Sequence, residues 1–319
     1  MKKILIVGAG GQIGSELTYH LRKIYGASNV VASDIRRTPG ITDDGPFEVL
    51  DVLEAQRLAF LVHKYNIDTI FNLVALLSAT GEKNPIGAWR INMGALMNTL
   101  EVATSFGCSV FTPSSIGAFG PNSPKDKTPQ DTVMRPTTMY GVCKVSGELL
   151  GDYYHQRFGL DTRSVRFPGI ISNVTLPGGG TTDYAVEIFY EAIKNKRFTC
   201  PVPENSYMDM MYMPDALNAC VQLMEADPSK LKHRNSFNIA SMSFTPEIIY
   251  KAIKKRMPEF EMTYDIDPVK AAIADSWPNM LDDTCAREEW GWAPKWDLES
   301  MTDDMLKIIG QKYKDGLLK

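Results

Sequence analysis

The turn Gly8-Ala9-Gly10-Gly11-Gln12-Ile13-Gly14 constrains this chain more than any other feature. It follows directly on the apolar run Lys3 to Val7 and opens a helical pattern from Gln12 to Tyr25. A glycine turn between a strand and a helix makes a tight bend and turns backbone N–H groups and the helix dipole toward whatever binds there. Gly8 is assigned the bend, Gly11 the close approach of a pyrophosphate, and Gly14 the contact of helix with sheet. The alternation continues through strand patterns at Val30 to Ser33, Phe47 to Leu50, Thr69 to Leu73, Cys108 to Thr112 and Thr162 to Phe167. Helical patterns at Leu53 to Tyr65, Ile86 to Phe106 and Thr138 to Phe158 separate them. This is the rhythm of an α/β chain, a Rossmann-like doubly wound parallel sheet with crossover helices.

The second half reads differently. Loop signals gather at Pro168-Gly169, Pro177-Gly178-Gly179-Gly180 and Pro201-Val202-Pro203, and the helices become shorter. A helix from Asp215 to Glu225 and a strand from Ser236 to Ala240 are expected to return to the sheet. The expected organisation is a nucleotide-binding domain over 1–175, with returning segments at about 212–240, and a small C-terminal substrate-binding cap from 176–211 and 241–319.

Asp34 ends the second strand, twenty residues after Gly14, where a carboxylate accepts from both ribose hydroxyls of a dinucleotide. A carboxylate there repels a 2'-phosphate, so the expected cofactor is NAD and not NADP. Arg36-Arg37 are read as a solvated loop pair in preference to a phosphate clamp. Asp51 after the third strand either accepts from the adenine amino group or caps the helix that begins near Leu53.

Tyr140 and Lys144 lie four apart in Tyr140-Gly141-Val142-Cys143-Lys144, which places them on one helix face. An ammonium beside a phenol favours the phenolate, which takes a proton from an alcohol. Ser114-Ser115 end a strand twenty-five residues upstream, at the carboxyl edge where an open parallel sheet binds its ligands. Gly8, Gly11 and Gly14, the Ser115 segment and the Tyr140/Lys144 pair together resemble the extended branch of the short-chain dehydrogenase/reductase superfamily. The resemblance implies hydride transfer to NAD, with Tyr140 as acid/base, Lys144 stabilising its phenolate and holding the nicotinamide ribose, and Ser115 orienting the substrate oxygen. It further implies cofactor contacts from Gln12, Ile13, Leu73, Ala75 and Pro168.

Most extended members act on nucleotide sugars, yet this chain departs from them. It carries Asn72-Leu73-Val74-Ala75-Leu76-Leu77-Ser78 where a histidine is usual, and Arg166-Phe167-Pro168-Gly169 where an Asn-Val-Tyr-Gly-Pro type of turn is usual. Leu76 to Ala79, Pro113 to Gly120, Pro177 to Ala185, Ser241 to Pro246 and Asp275 to Pro278 resemble instead the short-chain L-threonine 3-dehydrogenase family, over nearly the whole length. That resemblance implies oxidation of the β-hydroxyl of L-threonine to 2-amino-3-oxobutanoate, within threonine catabolism. The substrate contacts it implies fall on Ser78, Ser115, Tyr140, Gly180, Thr181, Thr182 and Trp277, with backbone N–H groups near Gly180 as further donors.

Trp277 is either a core aromatic or a pocket wall, and Asp183 is read as the cap of a helix from Tyr184 to Lys194. Cys143 is read as core, and the methionines of Met208 to Met213 as packing. Phe167 offers no polar handle. A homodimer through the helix bearing Tyr140 and its neighbour, with Val145, Leu149, Leu150 and Ile91 to Leu100 at the contact, is implied by the same resemblance. Two rival readings are a nucleotide-sugar epimerase or dehydratase and a non-catalytic NAD-binding sensor; the intact Ser115, Tyr140 and Lys144 argue against the second.

Composition narrows the partners. The chain has 319 residues, with 34 Lys and Arg against 38 Asp and Glu, a net charge of −4 that does not suit a phosphate-backbone partner. No apolar run reaches the roughly eighteen residues of a membrane span, and Met1-Lys2-Lys3 leads straight into a strand, so a cytoplasmic protein is expected. Five cysteines without a CxxC pair and four histidines remote from them in sequence show no zinc spacing, and no metal is assigned.

Overall fold

The computed structural model describes residues 1–37, 40, 44–176 and 180–318. The strands are β1 (Ile4–Val7), β2 (Val30–Asp34), β3 (Phe47–Val49), β4 (Thr69–Asn72), β5 (Ser109–Phe111), β6 (Ser114–Ser115), β7 (Thr162–Phe167), β8 (Gly169–Ile171), β9 (Arg197–Cys200), β10 (Met208–Tyr212), β11 (Asn235–Asn238), β12 (Met242–Phe244) and β13 (Glu261–Tyr264). Seven strands form a parallel sheet in the order β3-β2-β1-β4-β5-β7-β11, and β6 pairs with β7. The chain works outward from β1 to β3, then crosses back to β4 on the other side of β1. That reversal opens a crevice at the carboxyl ends of β1 and β4, where such sheets take their ligands.

Helices α1 (Gln12–Tyr25), α2 (Ala55–Tyr65), α3 (Ser78–Glu82), α4 (Pro85–Phe106) and α5 (Met139–Phe158) fill the first half. α6 (Tyr184–Asn195), α7 (Met213–Glu225), α8 (Pro246–Lys254), α9 (Pro268–Ser276), α10 (Thr284–Trp290) and α11 (Leu298–Lys314) follow. Among the described residues no helix is long and apolar enough to cross a membrane. α4 starts on an Asn84 cap with Pro85 in its first turn and stops at Gly107, which takes the left-handed conformation at φ +70°. α5 starts on Thr138, whose hydroxyl accepts from Gly141 N, and stops at Gly159 in the same way.

The sheet is buried on both faces, which is why its strands read as unbroken apolar runs. Ile4 and Ile6 point into a core with Leu17 and Leu21 of α1 and Leu217 and Val221 of α7. Leu5 and Val7 point the other way, toward Leu58 and Leu61 of α2 and Leu96 and Leu100 of α4. A separate core joins β8, β10 and β12 to α6, α8 and α11 through Phe189, Met210, Phe244, Ile249 and Met305.

One expectation is corrected here and another holds. Pro168-Gly169 was expected in a loop, but Gly169 opens β8, which runs parallel to β10 with Gly169 opposite Met210. A Cβ on Gly169 would lie 2.4 Å from Met210 Sδ, so the glycine serves a close approach between strands. The methionine-rich stretch is itself the middle strand of the sheet β12-β10-β8. Met208, Met210 and Met211 are fully buried there, as packing requires.

One buried ion pair fixes α5 to the sheet. Arg166 of β7 meets Glu148 of α5 through Nη2 to Oε2 at 2.8 Å and Nε to Oε1 at 3.0 Å, with both side chains 5% exposed. Arg166 also donates to the Gln130 carbonyl and to Asn238 Oδ1 of β11, and Ser114 Oγ donates to Glu148 Oε1. Breaking a buried pair strands the surviving charge, so Glu148→Ala is expected to cost about 3–5 kcal/mol in urea unfolding. Lys196→Ala, which removes a pair exposed at both ends, should leave the midpoint unchanged. Equal effects of the two substitutions would contradict this account of the pair.

Candidate active site

The glycine turn has the geometry that its spacing demands. Gly8 sits at φ +87°, a conformation that L side chains rarely adopt, and Gly8 N and Ala9 N both donate to the Ser33 carbonyl of β2. A Cβ on Gly14 would lie 2.1 Å from the Gly8 carbonyl oxygen, so only glycine lets α1 start this close to β1. Asp34 is held at the end of β2 by Gly10 N and Ile35 N, each donating at 2.8 Å. Asp34, Asp51, Leu73 and Ala75 line one pocket with Gly8 and Gly11.

Asp51 lies on the wall of that pocket and accepts from Leu53 N at 2.9 Å. This is a turn bond, because α2 begins at Ala55 behind Glu54; the expected cap at Leu53 is corrected accordingly. Arg36 and Arg37 are exposed, in keeping with a solvated loop.

A second pocket adjoins the first at Leu73 and Ala75. Ser115, Tyr140, Lys144, Gln12, Ile13 and Pro168 line it together with Ser78, Gly180, Thr181, Thr182 and Trp277. Residues up to 265 positions apart in sequence therefore share one cleft. Lys144 Nζ donates to the Pro113 carbonyl at 2.6 Å and stands 5.3 Å from the centre of the Tyr140 ring. Ser115 Oγ accepts from Gly117 N at 3.1 Å, and Ser115 and Tyr140 are both 9% exposed. Ser115 and Tyr140 are thus nearly closed off from water, with Lys144 half-buried beside them.

Short hydroxyls and one indole also line the cleft. Ser78 Oγ and Thr181 Oγ1 are 3.4 Å apart and both nearly fully buried. Trp277 fulfils both readings, since it packs with Ile116, Phe119, Ile273 and Leu281 and also faces the pocket. Asp183 Oδ2 accepts from Gly180 N at 2.7 Å and so caps the short 3-10 turn Thr181–Asp183. The helical winding begins three residues before the expected start at Tyr184, and the carboxylate reaches back to it. That bond also occupies the Gly180 N–H, which is corrected from an expected substrate donor to a partner of Asp183. Residues 177–179 of the glycine stretch lie outside the described residues.

Three contributors escape sequence reasoning. Asn92 of α4 accepts from Leu76 N at 2.7 Å and donates to the Leu76 carbonyl at 3.2 Å, which fixes the segment carrying Ala75 and Ser78. Its only signal is a polar residue on a buried helix face. Gly117 packs under the Tyr140 ring, where a Cβ would come within 3.1 Å of two ring carbons. Gly141 meets the Gly117 carbonyl in the same way, at 2.2 Å, so two glycines let the start of α5 press against the Ser115 turn.

The residues present fit a dinucleotide. Positions 8 and 14 of the turn take only glycine, a carboxylate ends β2, and Gln12 Nε2 is buried at the helix start without a hydrogen-bond partner among the described residues. Asp34→Ala is expected to weaken NAD binding about ten- to a hundred-fold through loss of charge-assisted hydrogen bonds, measured by calorimetric titration. Unchanged affinity would remove Asp34 from the ribose site.

Known proteins match this arrangement. Residues 4–240 fit the model of the NAD dependent epimerase/dehydratase family. A Staphylococcus aureus protein described as an uncharacterized epimerase/dehydratase is 55% identical over 314 residues, 98% of each chain. The crystal structure of L-threonine dehydrogenase from Clostridium difficile superposes with a TM-score of 0.96 at 58% identity, covering 98% of each chain. The holo form of a GalE-like L-threonine dehydrogenase from Cupriavidus necator gives 0.93 at 49% identity, covering 96% of this chain and 99% of that one. With this fold, this glycine turn and these relatives, the chain belongs to the NAD-dependent epimerase/dehydratase family, in the extended short-chain branch, and is an NAD-using enzyme of oxidoreductase or epimerase type.

Proposed function

We propose that the enzyme oxidises L-threonine at its β-hydroxyl to 2-amino-3-oxobutanoate. The observation that carries this reading is the make-up of the cleft that holds Ser115 and Tyr140: Ser78, Thr181, Thr182 and Trp277 offer short hydroxyls and one flat apolar wall. Such a surface suits a small zwitterion with a single methyl group, whose polar ends each need a partner. The L-threonine dehydrogenases among the structural relatives support the same reading.

Ser115 donates its hydroxyl proton in a hydrogen bond to the β-oxygen of the substrate and so holds it toward Tyr140. Lys144, tethered through Nζ to the Pro113 carbonyl, keeps its ammonium over the Tyr140 ring, on the same wall of the cleft. Tyr140 Oη then takes the proton of the β-hydroxyl as the carbon–oxygen double bond forms. NAD, when bound, supplies the acceptor for the hydride that leaves the β-carbon. Two electrons and two hydrogens leave threonine in all, one hydrogen as hydride and one as the proton on Tyr140, which passes on to water. Ile13, Phe167 and Pro168 give the cleft apolar walls that limit water at the reacting carbon.

Purified enzyme given L-threonine and NAD is expected to form NADH, followed by absorbance. Tyr140→Phe should lower kcat by about 10²–10⁴, the usual worth of a positioned acid or base. Ser115→Ala should lower it about 100-fold by removing a donor to the oxygen where charge develops. Wild-type rates in Tyr140→Phe would overturn the mechanism. Turnover of a UDP-hexose without net NADH, together with inertness toward L-threonine, would overturn the substrate.

A further inference from the structure

The histidines and cysteines are far apart along the chain, yet folding gathers three potential metal ligands away from the cleft. His233 stands two residues before β11, and Cys285 and Glu289 lie four apart on α10, hence on one face of it. A ring nitrogen of His233, Sγ of Cys285 and a carboxylate oxygen of Glu289 all lie within 4.8 Å of one another. Glu289 is already fixed in place: Oε2 accepts from Lys232 N at 2.5 Å and His233 N at 3.1 Å, and Oε1 is 2.5 Å from His233 Nδ1. Asp131 Oδ2 reaches within 3.5 Å of His233 Nε2, from an exposed position in the loop that leads to α5.

We propose that His233, Cys285 and Glu289 form a structural binding site for one zinc-type divalent cation, with water completing the coordination and Asp131 accepting from the other ring nitrogen of His233. Nitrogen, sulfur and oxygen donors at one locus select a borderline-soft cation, whereas calcium and magnesium require oxygen donors throughout. Two of the ligands are accessible: Cys285 is half-buried whereas the other four cysteines are buried, and the His233 side chain is 28% exposed, beside a Glu289 side chain at 9%. None of the three lines the cleft that holds Ser115, Tyr140 and Lys144. The cation would staple α10 to the approach of β11. Binding converts the thiol to a thiolate and releases its proton to solvent.

The test uses the full-length reduced enzyme after treatment with a chelator, titrated with cobalt(II) and then with zinc. One equivalent of cobalt is expected to produce a thiolate-to-metal charge-transfer absorption in the near ultraviolet, which added zinc removes by displacement. Cys285→Ser should abolish that band, and His233→Gln should weaken cobalt binding about ten-fold or more, while NADH formation stays at the wild-type rate in both. The proposal is overturned if the wild type gives no such band, or if the band persists in Cys285→Ser or keeps its affinity in His233→Gln.

Discussion

The position of α5 depends on a charge that cannot be left unpaired. Glu148 is shielded from water and meets Arg166 of β7 in a two-point contact, while Ser114 donates to the same carboxylate. Removing any member strands a polar group in a dry interior, where an uncompensated charge costs far more than a surface pair returns. Tyr140, Lys144 and Glu148 are spaced by four and four, so they form one stripe along α5. Ser114 and Ser115 are neighbours on β6. The clamp between Glu148 and Ser114 ties the helix that carries Tyr140 and Lys144 to the strand that carries Ser115. Gly117 and Gly141 complete the arrangement by letting the two segments touch without an intervening side chain.

The nucleotide half obeys a simpler constraint. A Cβ at position 14 collides with the Gly8 carbonyl, and Gly8 itself needs a positive φ. Both demands are local, acting across a turn of seven residues, which explains why they are readable in the chain. The same holds for α1, whose bounds Gln12–Tyr25 agree with the apolar periodicity, and for α5, which starts one residue after its Thr138 cap. Asp34 ends β2 where the strand pattern places it, and Ser115, Tyr140 and Lys144 share a cleft with Ser78, Thr181 and Trp277.

What sequence left hidden is non-local. Gly169 carries a loop signal, but the approach of Met210 from a strand forty residues later makes it part of β8. Asn92 looks like an isolated polar residue in an apolar helix until Leu76 is seen against it. Glu148 and Arg166 announce nothing as single residues, because their value lies in meeting each other in the interior. His233 and Cys285 are fifty-two positions apart and meet only through the packing of α10 beside β11. In each case the decisive partner is set by the tertiary fold, which no window of sequence contains.

The central claim is that the hydrogen on the β-carbon of L-threonine moves directly to NAD while Tyr140 takes the proton of the adjoining hydroxyl. L-threonine carrying deuterium on the β-carbon tests it most directly, with the reduced cofactor analysed by mass spectrometry. The account predicts one deuterium on the nicotinamide ring of NADH and none exchanged into water. Reduced cofactor without deuterium, or no reduced cofactor at all, would contradict it.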